Sequence, residues 1–227
     1  MGEMTTSIGR TPADVRGWPP DPAARQALME YLEELPRDSE DVPQGFYGAG
    51  MDFTGADLSG LDLSEADFME ARLGGVRMEG ADLFGAWFNA ATLSGADLSG
   101  CLLRKAQGRG CDARGASLRG ANLDRAEFED ADFRGADLSR VVFAGAWMHS
   151  ADLRDADLRE CRFGGAPGPT GLVQVRLAGS RLTGATGRVS GPVDIGADSP
   201  HLIDGDELRD WFASQGAPLV EVTTPTS

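Results

Sequence analysis

Between Met51 and Gly165 the chain repeats every five residues, an interval that few folds accommodate. Segments such as ADLSG (96–100), ASLRG (116–120), ADFRG (131–135) and ADLSR (136–140) align without gaps. With the large apolar residue of each pentad written as i, Leu, Phe or Met fills i in 21 of 23 pentads; Gly108 and Ala113 are the failures. Position i−2 is Ala in 16 of them. Five matches neither the 3.6-residue helix nor an unbroken strand of period two. It fits a short extended step followed by a corner. Positions i−2 and i face inward, i−1 faces outward, and i+1 and i+2 turn the chain.

Alternating small Ala and large Leu or Phe fills a narrow interior and leaves no axial pocket. Glycine at i+2 recurs every twenty residues, at 55, 75, 95, 115 and 135 and again at 60, 80, 100 and 120. That recurrence predicts four five-residue sides per coil. It also predicts that positive φ is confined to the glycine-rich corners. The repeat A(D/N)Lxx resembles the signature of the pentapeptide-repeat family over roughly 115 residues. The resemblance implies an all-β solenoid whose coils form a right-handed, four-sided (quadrilateral) parallel β-helix. Stacked at about 4.8 Å, nearly six coils make a rod of roughly 28 Å.

Three divisions are expected. Residues 1–45 form an N-terminal extension with a capping helix at about 22–35, started by Asp21-Pro22 and stopped by Pro36, then an acidic linker at 38–42. Residues 46–191 form the β-helix, strong over 51–165 and degenerate over 170–191, where Leu172, Leu177 and Leu182 resume the spacing out of phase. Residues 192–227 carry a loop, a short α-helix at about 205–215, a short strand at Val220 and Val222, and a Thr-Pro-Thr-Ser tail at 224–227 expected to be disordered. In that second helix Leu208, Trp211 and Phe212 form an apolar face for capping or dimerisation. Dimerisation through this end is an implication of the resemblance.

With no signal peptide or long apolar run, the chain is expected to be soluble and cytoplasmic, without membrane association. The start at 1–6 matches a myristoylation pattern too short to carry weight. Cys101, Cys111 and Cys161 all fall at inward i−2 positions, so they read as reduced, small hydrophobes. With two histidines and no CxxC, no metal is expected, and no cofactor. The Asp residues at i−1 lie on a convex surface rather than a shared cleft, and no phosphate loop, HExxH or GxSxG occurs, so no enzyme activity is expected.

The net charge of −15 is unevenly placed. Residues 46–100 hold nine acids against two arginines, whereas 101–191 hold 14 bases against 11 acids. Trp87 and Trp147 sit at outward i−1 positions of one face, Phe84 at the neighbouring corner and Leu102 on the adjoining face. They are partner anchors if exposed, and packing residues if a flanking segment or second chain covers them. Arg114, Arg134 and Arg154 form an i+1 column beside Asp112, Asp132 and Asp152; they either hold an anionic partner or pair among themselves. The loss of bulk at Gly108 and Ala113 marks either a pinch or bulge in one coil or a recognition feature.

The function expected is a non-catalytic scaffold that presents side-chain columns to a protein partner. The resemblance implies an alternative. One branch of the family imitates duplex DNA, binds type II topoisomerases such as gyrase, and confers antibiotic resistance or self-protection. Asp57, Asp62, Glu65, Asp67, Glu70 and Asp82 would supply the acidic surface. The arginine excess beyond residue 101 opposes that alternative, and the overall charge opposes direct nucleic-acid binding.

Overall fold

The structure, a computed structural model, describes residues 9–35, 45–165 and 168–223. The expected Pro36 stop, acidic linker, myristoylation pattern and terminal tail lie outside the described residues.

Each outward i−1 residue forms a parallel bridge with the one twenty positions later, as in the column Asp52, Arg72, Thr92, Asp112, Asp132, Asp152. Parallel columns starting at Asp57, Asp62 and Asp67 follow the same offset. The hydrogen bonds are those of a parallel ladder. The Leu58 N–H donates to the Arg77 carbonyl at 2.7 Å, and the Arg77 N–H to the Ala56 carbonyl at 2.8 Å. Each coil therefore satisfies its backbone on the coils either side of it. Inside, the i−2 alanines and the i leucines and phenylalanines are buried in one continuous core. Phe68 stacks on Phe88, one coil away, with ring centroids 5.5 Å apart.

The corners correct one expectation. Positive φ is not confined to the glycine-rich columns. Glu65, Glu70, Ala90, Lys105, Arg125 and Asp130 hold φ of 56–60°, beside 60–73° at the corner glycines from Gly50 to Gly145. Every corner needs a left-handed residue, at a cost of roughly 1–2 kcal/mol wherever it is not glycine.

The first alternative for Gly108 and Ala113 does not hold: the coil neither pinches nor bulges. Bridges Gln107–Glu127 and Asp112–Asp132 keep register. A Cβ on Gly108 would lie 2.2 Å from Cε1 of Phe128, so that ring occupies the space of the missing side chain. Phe128 in turn packs edge-on against Phe133, directly beyond Ala113 in its column, at 5.4 Å. The bulk has moved one coil along.

After Gly165 the offset rises from twenty to twenty-four: Trp147 bridges Gly171, Asp152 bridges Arg176, and Arg162 bridges Thr186. The column resumes at Thr170. The Thr170 hydroxyl donates to the Phe143 carbonyl at 2.7 Å and accepts the Gly164 N–H at 2.8 Å. Leu172, Leu177 and Leu182 then fill the interior. Short strands β1 (Thr170–Gly171), β2 (Val175–Arg176), β3 (Thr186–Ser190), β4 (Val193–Asp194), β5 (Leu202–Ile203) and β6 (Leu219–Val222) complete the lower end. They pair as β1-β3-β6 and β2-β4-β5, all parallel except β4 with β5.

Both ends are covered. Helix α1 (Pro22–Glu34) begins where Asp21 accepts the Ala24 N–H at 2.8 Å. It buries Ala24, Leu28 and Leu32, and sets Tyr31 against Phe46 at 5.3 Å. A strap at 9–17 supplies two rungs the first coil would otherwise lack. Gly9 bridges Leu61 in parallel and Gly17 bridges Asp57 antiparallel. At the lower end α2 (Gly205–Ser214) buries Leu208 and Phe212, with Phe212 meeting Phe163 at 6.0 Å.

Candidate interaction surface

The column through Asp67 carries, in order, Tyr47, Asp67, Trp87, Gln107, Glu127, Trp147 and Gly171. Trp87 and Trp147 therefore share one face, and no flanking segment among the described residues covers them: they are 38 % and 55 % exposed, and Tyr47 is 67 % exposed. Leu102, on the neighbouring column after Asp62 and Asp82, is 43 % exposed. Phe84 is half-buried, with the Lys105 ammonium 5.3 Å from its ring centre. Tyr47 escaped the sequence reading because its pentad lacks both inward signals. Counted back in register it falls at i−1, and that was the available clue.

Around Trp147 the surface is concave. Arg125, Glu127, Trp147, His149, Pro169 and Gly171 line an open groove of about 530 Å³. Gly171, directly beyond Trp147 in its column, presents no side chain, and His149 leans over it: a Cβ there would meet the His149 Nε2 at 2.9 Å. The His149 ring lies 4.9 Å from the indole at a 36° tilt. Gly168 and Pro169 build one wall, so the groove exists because the repeat is interrupted.

The acids have local work. Asp57, Asp62, Asp67 and Asp82 each accept the N–H two residues on, fastening the corner at 3.2, 3.3, 2.9 and 3.0 Å. Asp62 is buried and pairs with Arg10 of the strap at 2.9 Å. Asp57 is half-buried where the strap pairs with its backbone. Glu65 and Glu70 stay exposed at corners. Burial pushes the Asp82 carboxyl above its ordinary value, and the Asp62 charge adds to this. Nothing in the sequence marked the strap as covering this column, because Gly9 and Gly17 contribute only backbone.

Arg114, Arg134 and Arg154 each fold back on the aspartate of their own pentad, at 2.7, 2.6 and 2.6 Å to Asp112, Asp132 and Asp152. Arg114 and Arg134 also reach the next rung, to Asp132 at 3.8 Å and Asp152 at 3.9 Å. Their guanidinium groups hold Asp112 and Asp132 below the usual carboxylate range. The column is self-neutralised. At the lower end Leu208 and Phe212 lie within the chain's own core, and Trp211 is half-buried against Phe212 at 5.2 Å.

The three cysteines are free and buried, and burial pushes their thiols up, to about 12 at Cys101 and Cys111. Among the described residues no cluster of His, Cys, Asp or Glu fits a metal ion. No helix among them is long and apolar enough to cross a membrane.

A filled core wound in parallel coils defines a β-helical repeat protein. The chain belongs to the pentapeptide-repeat family: the family's model, Pentapeptide repeats (8 copies), matches residues 50–85, 86–125 and 126–165, just over half of the 227. No curated protein matches the chain. It is similar to HetL, a pentapeptide repeat protein involved in heterocyst differentiation regulation from the cyanobacterium Nostoc sp. strain PCC 7120. That likeness has 26 % identity, covers 70 % of this chain and 90 % of HetL, and has a TM-score of 0.45. A pentapeptide repeat protein of the Arabidopsis thaliana thylakoid lumen is 26 % identical over 74 % of this chain and 77 % of its own, at a TM-score of 0.25. QnrB1, a plasmid-mediated fluoroquinolone resistance protein, is 21 % identical over 81 % and 91 % respectively, at 0.36. Overlaps this loose carry no functional argument.

Proposed function

We propose that the chain is a non-catalytic, cytoplasmic interaction module: a right-handed, four-sided β-helix that presents fixed side-chain columns to a protein partner. The twenty-residue bridge offset supports four sides, and the family resemblance supports the hand. The division into an N-terminal extension, the rod and a C-terminal cap follows the same reading. One observation carries the function. Trp87, Leu102 and Trp147 remain exposed after the chain's own segments have covered both ends of a solid core. A large apolar side chain left on a polar, rigid surface is the usual anchor of a protein interface.

Replacing Trp87 and Trp147 by Ala together should leave circular dichroism and melting unchanged and abolish pull-down of a specific partner. If melting collapses instead, the two indoles support the fold and the reading fails. The topoisomerase alternative stands second, because the Asp62 carboxylate is paired with Arg10 and each column aspartate named for it is engaged at its own corner.

A further inference from the structure

We propose that the partner segment is an extended, basic peptide lying along the Trp87–Trp147 column, with two apolar anchors four residues apart and a lysine or arginine midway. This deepens the proposed function and rests on it. The two tryptophans stand three rungs apart. At about 4.8 Å per rung their separation is about 14 Å. In an extended chain, residues i and i+4 point the same way and lie about 13 Å apart, which matches. A helix matches less well. Its same-face positions fall at i+7, about 10.5 Å, or i+11, about 16.5 Å.

The area decides against a second copy of the chain. One side of the rod, about 30 Å long and about 12 Å wide, offers roughly 350 Å², against about 800 Å² per partner in a stable interface. A strand-like segment fits that strip. Because the rung backbone is already paired along the rod axis, recognition must come from side chains.

Charge fixes the middle position. The column itself holds two carboxylates, Asp67 and Glu127, and no base. Midway between the anchors the peptide faces Gln107 and Glu127, both acceptors. Arg109, the nearest paired cation, is engaged by Glu129 and Asp130 at 3.9 and 3.7 Å, and Glu127 forms no ion pair among the described residues. Arg125 stands at the corner beside the column rather than in it. The lower anchor packs against the Trp147 indole in the open groove that Glu127, His149 and Pro169 line.

The test is a selection of random twelve-residue displayed peptides on the full chain, with counter-selection on the Trp87→Ala, Trp147→Ala double variant. Enrichment of apolar-x-Lys/Arg-x-apolar sequences is the expected result. The synthetic peptide GFSKSFG should then quench tryptophan fluorescence saturably, bind at least tenfold more weakly to the double variant, and bind several-fold more weakly to Glu127→Gln. Its GFSESFG counterpart should not bind. Tryptophan-dependent peptides of another pattern, acidic or helically spaced, would overturn this inference and leave the interaction module standing. A selection that yields no tryptophan-dependent peptide overturns both.

Discussion

The two halves of the rod solve opposite problems. From Met51 to Gly100 the interior repeats without a fault, whereas the exterior is incomplete: the first coil has no predecessor at Asp57 and Leu61, and the strap from Gly9 to Gly17 fills both places. From Cys101 onward the exterior is balanced by arginine–aspartate pairs, but the interior is faulty, thinned at Gly108 and interrupted after Gly165. In each half the repair comes from the adjoining rung or the covering segment, because a solenoid has only nearest-neighbour contacts. A defect is corrected one coil away or not at all.

The strongest test of that rule is Phe128. Truncating it to Ala should cost about 3–5 kcal/mol, the upper range for a buried aromatic, since the ring fills two coils' worth of space. Gly108→Ala alone should also destabilise, the added carbon meeting the ring at 2.2 Å. Combined with Phe128→Leu it should cost less than the two single changes summed. Urea denaturation of the four proteins measures this. Strict additivity would mean that the coils do not share the cavity.

A smaller effect separates backbone from packing. Gly95 holds φ of 66° with no atom within 4 Å of an added Cβ, so Gly95→Ala adds only the left-handed penalty, about 1–2 kcal/mol. The reverse change, Ala90→Gly at φ 56°, should stabilise by somewhat less, because the unfolded chain gains freedom. Equal melting temperatures for both variants and the parent would refute the claim that every corner carries the same demand.

The pentad alone sufficed for the inward and outward assignment of nearly every side chain from 51 to 163, because alternation and burial impose the same register on each rung. The lower Asp–Arg pairing was visible too, since Arg at i+1 beside Asp at i−1 is a local spacing. What escaped the sequence was whatever depends on the third dimension between rungs. Phe128 looked like one more interior residue, although it serves two coils. The conformational demand at the corners is hidden in the sequence, because glycine marks it in two columns while Glu65, Ala90 and Lys105 meet the same demand elsewhere. The strap was invisible, as its rungs are made by Gly9 and Gly17. The groove at Trp147 depends on where the column resumes after a four-residue excess, and composition does not encode that.

The finest contrast is electrostatic and sets Asp82 apart from the aspartates held below their ordinary value in both halves, Asp52 and Asp57 among them. In the lower half the guanidinium groups of Arg134 and Arg159 hold Asp132 and Asp157 below the ordinary value of 3.8. A depressed folded value contributes stability that is present above 3.8 and is lost as pH falls through the lower, folded value. In the upper half burial raises Asp82 above 3.8, so its charge opposes folding at neutral pH, and that penalty fades as pH falls through the raised value. Asp132→Asn should therefore lower the melting temperature at pH 7, and Asp82→Asn should raise it while Asn keeps the bond to the Phe84 N–H. Asp82→Asn should lose its effect on approaching pH 3.8, where Asp132→Asn still retains part of its own. Melting curves of both variants between pH 7 and pH 3 decide the matter. A shift of the same sign in both would show that buried Asp82 is held no differently from the arginine-paired Asp132.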